Sequence, residues 1–197
     1  MRGCGTLVVL MLGCARPAAG PPPGDLPHTV AVLAPNNLTG DPLLVAGASF
    51  FEKYATGSAR VTVPDVLASE ARLQLARRGF DLVPAEMVEQ ATEGHAPGSA
   101  AAAGDVARRG ALPGAALYLE VRRWDADAPT HPAFVLAGVA ASLVDPSSGR
   151  VLWSTDRAVG PVPTPGEVAL GPAYVTAARK VMEELLRPLG PERPPAP

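Results

Sequence analysis

The sequence predicts an α/β fold in the α+β sense: one mixed sheet of about five strands with helices packed on it. Three observations carry this. "HTVAVLA" at 28–34 is a continuous run of β-formers, and a helix-periodic stretch follows from Pro64, as in a strand–helix crossover. From Ala115 the apolar period becomes two and returns in the two segments that follow. Tyr174, Ala178, Val181 and Leu185 then fall at i, i+4, i+7 and i+11, one face of a closing helix.

The first strand, 28–34, is apolar on both faces and ends at Pro35, as a strand in mid-sheet should. Turn chemistry follows in "PNNLTGDP". Asp41 as N-cap and Pro42 at the first helical position predict a helix over 42–56, closed by Gly57. Leu43, Leu44, Phe50, Phe51 and Tyr54 make that helix apolar on nearly every side. Either it runs through the core, or Phe50, Phe51 and Tyr54 meet a partner, another copy or the bilayer surface. A second helix starts at Pro64 and Asp65, turns Val66, Leu67, Ala71 and Leu75 inward, and stops at Gly79 after Arg77 and Arg78.

"FDLVP" at 80–84 reads as a short strand, and 85–93 and 99–109 as two short helices around the loop "GHAPG". "AALYLEVRRW" alternates Leu117, Leu119 and Val121 on one face with Tyr118, Glu120, Arg122 and Trp124 on the other. "AFVLAGVAASLV" and "RVLWSTD" flank "DPSSG", a hairpin turn with Pro146 at its second position and Gly149 supplying a positive φ. Trp153 alternates with Val151 and Thr155 on one strand face, which places it in the core. Val175 and Met182 widen the stripe of the last helix, which Pro188 stops.

A chain of 197 residues makes one domain with a real core. Its 23 prolines and 20 glycines belong at ends and loops. A formal charge of −2, with no basic stripe, gives nothing with which to grip phosphates, so nucleic acid is excluded as a partner. The longest clean apolar run, Leu7–Leu12, is far short of the roughly 18 residues of a spanning helix and suits a signal-peptide core.

Arg2, "TLVVLML" and Gly13 before Cys14 follow the order of a signal peptide over 1–13, and "MLGC" resembles the lipobox of bacterial lipoproteins, with Met11 where leucine is commonest. By that resemblance Cys14 is acylated and becomes the new amino terminus. The competing reading, a disulfide with Cys4, would staple ten residues of targeting segment with no fold to hold, and no cysteine follows Cys14. Each buried CH₂ contributes about 0.8 kcal/mol, so two or three acyl chains anchor stably where one does not. Residues 14–27 then form a lipidated Pro-rich tether, extended at about 3.1 Å per residue to roughly 40 Å. The globular body spans 28–189, and 190–197 is a disordered Pro-rich tail. Ala15 stands where an aspartate would retain a lipoprotein in the inner membrane, so the resemblance implies the outer membrane, periplasmic face.

"VAVLAPNNLTGDP" resembles the first strand and loop of the TolB amino-terminal domain and of curli-secretion lipoproteins of the CsgG type. "GAALYLEVRRW" and "SSGRVLWS" resemble a later strand and hairpin of small lipoproteins sharing that fold. The resemblance covers about 28–158. It implies a membrane-anchored, periplasm-facing domain that assembles with envelope proteins or with itself, and it brings no catalytic residues. The chain shows no further pair of long alternating strands with which to line a pore.

The search for chemistry yields little. His28, His95 and His131 have no His or Cys at metal-ligand spacing. Asp125, Asp127 and His131 suggest a calcium loop, but the glycine at its sixth position is missing and Pro129 replaces an oxygen donor. Ser49 lacks the second glycine of a nucleophile elbow. The Gly-rich stretches match neither phosphate loop nor dinucleotide fingerprint. No catalytic residue, metal or cofactor is therefore expected. The sequence reads as a non-enzymatic lipoprotein of the cell envelope that acts by interaction or assembly. The alternative is a small-ligand-binding lipoprotein with a pocket lined by Tyr118 or Trp124.

Overall fold

The structure is a computed structural model that describes residues 26–45 and 61–191. Cys14, the signal segment, the tether, Phe50, Phe51, Tyr54 and the end of the tail lie outside the described residues. Six strands form one mixed sheet: β1 (Thr29–Val32), β2 (Asn36–Asn37), β3 (Asp81–Leu82), β4 (Ala115–Ala126), β5 (Phe134–Val144) and β6 (Val151–Pro163). The order is β3-β1-β4-β5-β6, with β2 paired to β4 above β1. The pairs made by β1 and β2 are parallel, and β4-β5-β6 is antiparallel. The helices are α1 (Val63–Arg77), α2 (Ala85–Thr92), α3 (Ala100–Arg109) and α4 (Leu170–Leu186).

Alternation in β1 sets the layers. Val30 and Val32 enter a core shared with Leu67, Ala71 and Leu75 of α1 and Val181, Met182 and Leu185 of α4. Ala31 and Leu33 enter a second core with Val88 of α2 and Ala103 and Ala107 of α3. Thus β1 is covered on both faces, as its unbroken apolar run requires. The α1 cap lies earlier than the Pro64–Asp65 signal suggests: the Thr62 hydroxyl accepts from the Asp65 N–H and the Asp65 carboxylate accepts from the Thr62 N–H, a reciprocal capping box.

Three expectations are corrected. The helix predicted over 42–56 does not begin at Pro42: Leu43 takes φ 45° and Leu44 pairs antiparallel with Thr62. Two hydrogen bonds, Val45 N–H to the Val61 carbonyl at 3.0 Å and Val63 N–H to the Leu43 carbonyl at 2.8 Å, join these stretches as a short stem. The stem supplies backbone pairing that a helix start would forgo, and it outweighs the Asp-Pro signal. The "NN" read as turn is also a strand, pairing Asn36 with Glu120 and Asn37 with Val121. That makes six strands instead of about five.

The third correction is Trp124. The register slips between Val121 and Arg123, a β-bulge at Arg122 that shifts the alternation by one. Trp124 therefore joins Leu117, Leu119 and Val121 in the first core rather than facing the Tyr118 side. It is 1% exposed, with Tyr174 edge-on at 6.2 Å. Trp153 is buried as expected, but another slip beside it leaves Val151 exposed, off the same face.

Candidate functional site

The first face of β4-β5-β6 is closed by α1 and α4: Val135, Ala137, Val139, Ala141 and Leu143 of β5 all lie in that core. The second face is covered at one end only. There α3 lies close, because Gly104 faces Val144 and the Gly149 backbone with no side chain between. Further along, the face carries three side chains per row. Glu120, Ala140 and Asp156 form one, Arg123, Gly138 and Val159 the next, and Asp125, Leu136 and Pro161 a third. Phe134 and Pro163 end the series.

A polar chain crosses this face. Asn36 Nδ2 donates to the Gly98 carbonyl and to Tyr118 Oη, and Tyr118 Oη donates to Glu120 Oε1 at 3.1 Å. Arg122, put on the bulge, donates to Glu120 Oε2 at 2.9 Å and to Asp156 Oδ1 at 2.7 Å. Its guanidinium thus spans the position of Ala140. Burial raises the Tyr118 phenol above its ordinary pKa, with the Asn36 hydrogen bond opposing, so at neutral pH it stays a neutral donor to Glu120. Arg123 pairs with Asp125 in the next rows. At Gly138 a Cβ would lie 2.6 Å from Val159 Cγ2, so the glycine lets Val159 fold over the middle strand.

Arg157 holds the outer edge of the sheet. A second bulge in β6 lies between Arg157 and Gly160, and Arg157 donates to the Ala137 carbonyl at 2.6 Å and to Glu184 Oε2 of α4 at 3.0 Å. The guanidinium therefore satisfies backbone that the bulge takes out of the ladder.

The hairpin turn between β5 and β6 follows the sequence. Asp145 accepts from the Ser147 N–H at 2.9 Å and from the Ser147 and Ser148 hydroxyls at 2.7 Å each, while Gly149 adopts φ 70°. Those bonds, the Ser148 hydroxyl foremost, hold the carboxyl at about 2 against an ordinary 3.8. Because the folded pKa is the lower one, the clamp is present above the ordinary value and is lost as pH falls toward 2. Asp145→Asn should therefore melt below the wild type at neutral pH, with the gap closing between about pH 4 and pH 2. Thermal melts at stepped pH check this, and a gap independent of pH would contradict it.

The other candidate residues separate. His28, His95 and His131 are all exposed and lie apart in the chain. Asp125 is taken by Arg123, and Asp127 Oδ1 accepts from the Phe134 N–H at 3.3 Å, so the expected calcium loop is a strand end. Tyr118 and Trp124 line no common pocket, since they lie in different cores on opposite faces of the sheet. Ser49 lies outside the described residues. A cleft of about 530 Å³ opens instead at the carboxyl end of β1, between α1 and α2, lined by Pro35, Asp65, Ser69, Arg72, Val88 and Glu89. In it Arg72 donates to the Val83 carbonyl at 3.0 Å. Among the described residues no three His, Cys, Asp or Glu side chains group as metal ligands.

No family model matches the chain, and no curated protein matches its sequence. Solved structures do share its fold. PelC of Paraburkholderia phytofirmans, described as a dodecamer, is 18% identical with a TM-score of 0.52 over 88% of this chain and 96% of that one. Lipoprotein GNA1162 of Neisseria meningitidis is 18% identical with a TM-score of 0.46 over 71% and 83%. The LpoB C-terminal domain of Salmonella enterica is 16% identical with a TM-score of 0.41 over 72% and 87%.

Proposed function

We propose that this protein is a non-enzymatic lipoprotein of the cell envelope, anchored through acylated Cys14 and facing the periplasm from the outer membrane. It acts as an interaction and assembly module. The observation that carries this reading is the open second face of β4-β5-β6, which is broad, partly apolar and crossed by ordered charges, and so suits a protein surface better than a small molecule. The fold shared with PelC, a dodecamer, supports assembly with copies of itself or with other envelope proteins. The likeness of "VAVLAPNNLTGDP" to TolB and CsgG-type lipoproteins belongs to the same reading. Crosslinking in intact cells, with identification of what is captured, tests it. Recovery of neither envelope proteins nor a second copy would defeat it.

Phe50, Phe51 and Tyr54 belong to this proposal as candidate interaction residues, because the Leu43–Val45 and Val61–Val63 stem joins the two ends of the stretch that carries them. Of the variants Phe50→Asp and Phe51→Asp, one is expected to unfold the domain and the other to fold normally and lose partner capture. Circular dichroism and analytical ultracentrifugation distinguish these. If both unfold, the stretch is core.

One observation favours a second reading, a small-ligand-binding lipoprotein. The cleft at the carboxyl end of β1 sits where α1 and α2 leave for opposite faces of the sheet, the crevice in which open α/β sheets bind ligands. A thermal-shift screen separates the two, since a ligand at a hundred times its dissociation constant adds roughly 2.7 kcal/mol.

A further inference from the structure

The second face of β5 has a composition that the described fold does not account for. Its residues are Phe134, Leu136, Gly138, Ala140, Ser142 and Val144, with no charge among them. Such a strand belongs under cover on both sides. Only the Val144 end has it, from Gly104 of α3. At the other end Val159 is 58% exposed beside Gly138, Pro161 and Pro163 are exposed, and Leu136 and Phe134 are half-buried. This is an apolar centre with a charged rim, in which Arg122 and Arg123 stand among Glu120, Asp125 and Asp156.

The chain's own remaining segments join the described fold elsewhere. The stem at Val45 and Val61 packs on Gly171 of α4, and Pro191 follows α4; both belong to the opposite layer. Leu26 packs into the core on that same side. A second copy fits the face better. A patch holding both charge signs around an apolar centre is complementary to itself, which a two-fold contact between identical surfaces requires.

We propose that this open face docks the same face of a second copy, sheet against sheet, with Val159 and Leu136 of each protomer at the centre and Arg123 of one opposite Asp125 of the other. The proposal rests on the self-association reading above and deepens it by naming the surface. Prolines at 161 and 163 lack N–H groups, so the outer end of β6 is a poor template for edge pairing and contact is directed to the face.

Sedimentation of the full lipidated chain in detergent micelles tests this. Val159→Asp and Arg123→Glu alter exposed side chains and should leave the melting temperature unchanged, while the dissociation constant rises by about tenfold or more. The double variant Arg123→Glu with Asp125→Arg restores a self-complementary rim and should recover pairing. Leu73→Asp, on the exposed side of α1, should have no effect. A self-associating wild type whose Val159→Asp and Arg123→Glu variants keep its mass would overturn the surface and leave the self-association reading standing. A wild type that is monomeric at its highest soluble concentration overturns both. A monomer that Val159→Asp destabilises shows that the chain covers its own face, and also overturns the proposal.

Discussion

Trp124→Ala is expected to cost about 3–5 kcal/mol, a large part of the roughly 5–15 kcal/mol that holds a domain of this size together. The side chain is the largest of those fully buried, and it ties the bulged end of β4 to α4 through its edge-on contact with Tyr174. Truncation leaves a cavity between layers that the sheet cannot close without moving the helix. Urea unfolding followed by circular dichroism measures the loss. Trp153→Ala should fall in the same range, because that ring is 4% exposed in the same core. A Trp124→Phe variant keeps an aromatic edge against Tyr174 and should recover more than half the loss. Trp124→Ala melting within a few degrees of wild type would mean that Trp124 does not fill the core.

Cys14→Ser should release the protein from the membrane while its melting curve stays that of wild type. The physical reason is additive: at about 0.8 kcal/mol per buried CH₂, two or three acyl chains hold effectively permanently, and a serine hydroxyl carries none through a thioether. Fold and anchor are separable, since the first strand starts at Thr29 and the described core reaches back only to Leu26. Detergent-phase partitioning reads the first effect and calorimetry the second. A serine variant that partitions like wild type would remove the lipoprotein reading.

Most of the architecture was legible because hydrophobic period and turn chemistry agree along most of the chain. The β5–β6 hairpin, the closing helix and the doubly buried β1 all lie where those signals put them. The failures share a cause. A bulge moves one residue out of the ladder and reverses every side chain beyond it, so alternation read through Arg122 put Trp124 on the wrong face. Nothing local in "LEVRRWDA" marks the slip. The Asp-Pro start at 41–42 obeyed the local rule for a helix and yielded to a long-range partner at Thr62. The polar chain from Asn36 to Asp156 was hidden for the same reason, since its members come from three strands distant in sequence. The open face did leave a signal, in the apolar alternate positions of β5, which reads as a strand covered twice.

The parallel pairing of β1 has a consequence for the order of assembly. Strands β4, β5 and β6 follow one another in sequence, and their antiparallel pairing closes only short loops. Val30 finds Ala115 only after the whole stretch that holds α1, α2 and α3 has been drawn in. Loop-closure entropy is met before such a contact returns any stabilisation, so the meander and α4 are expected to form the folding nucleus and β1 to seat late. Substitutions at Leu143 or Trp153 should then slow folding, and those at Val30 or Ala31 should mainly speed unfolding. The strand nearest the anchor is the last to be locked in place.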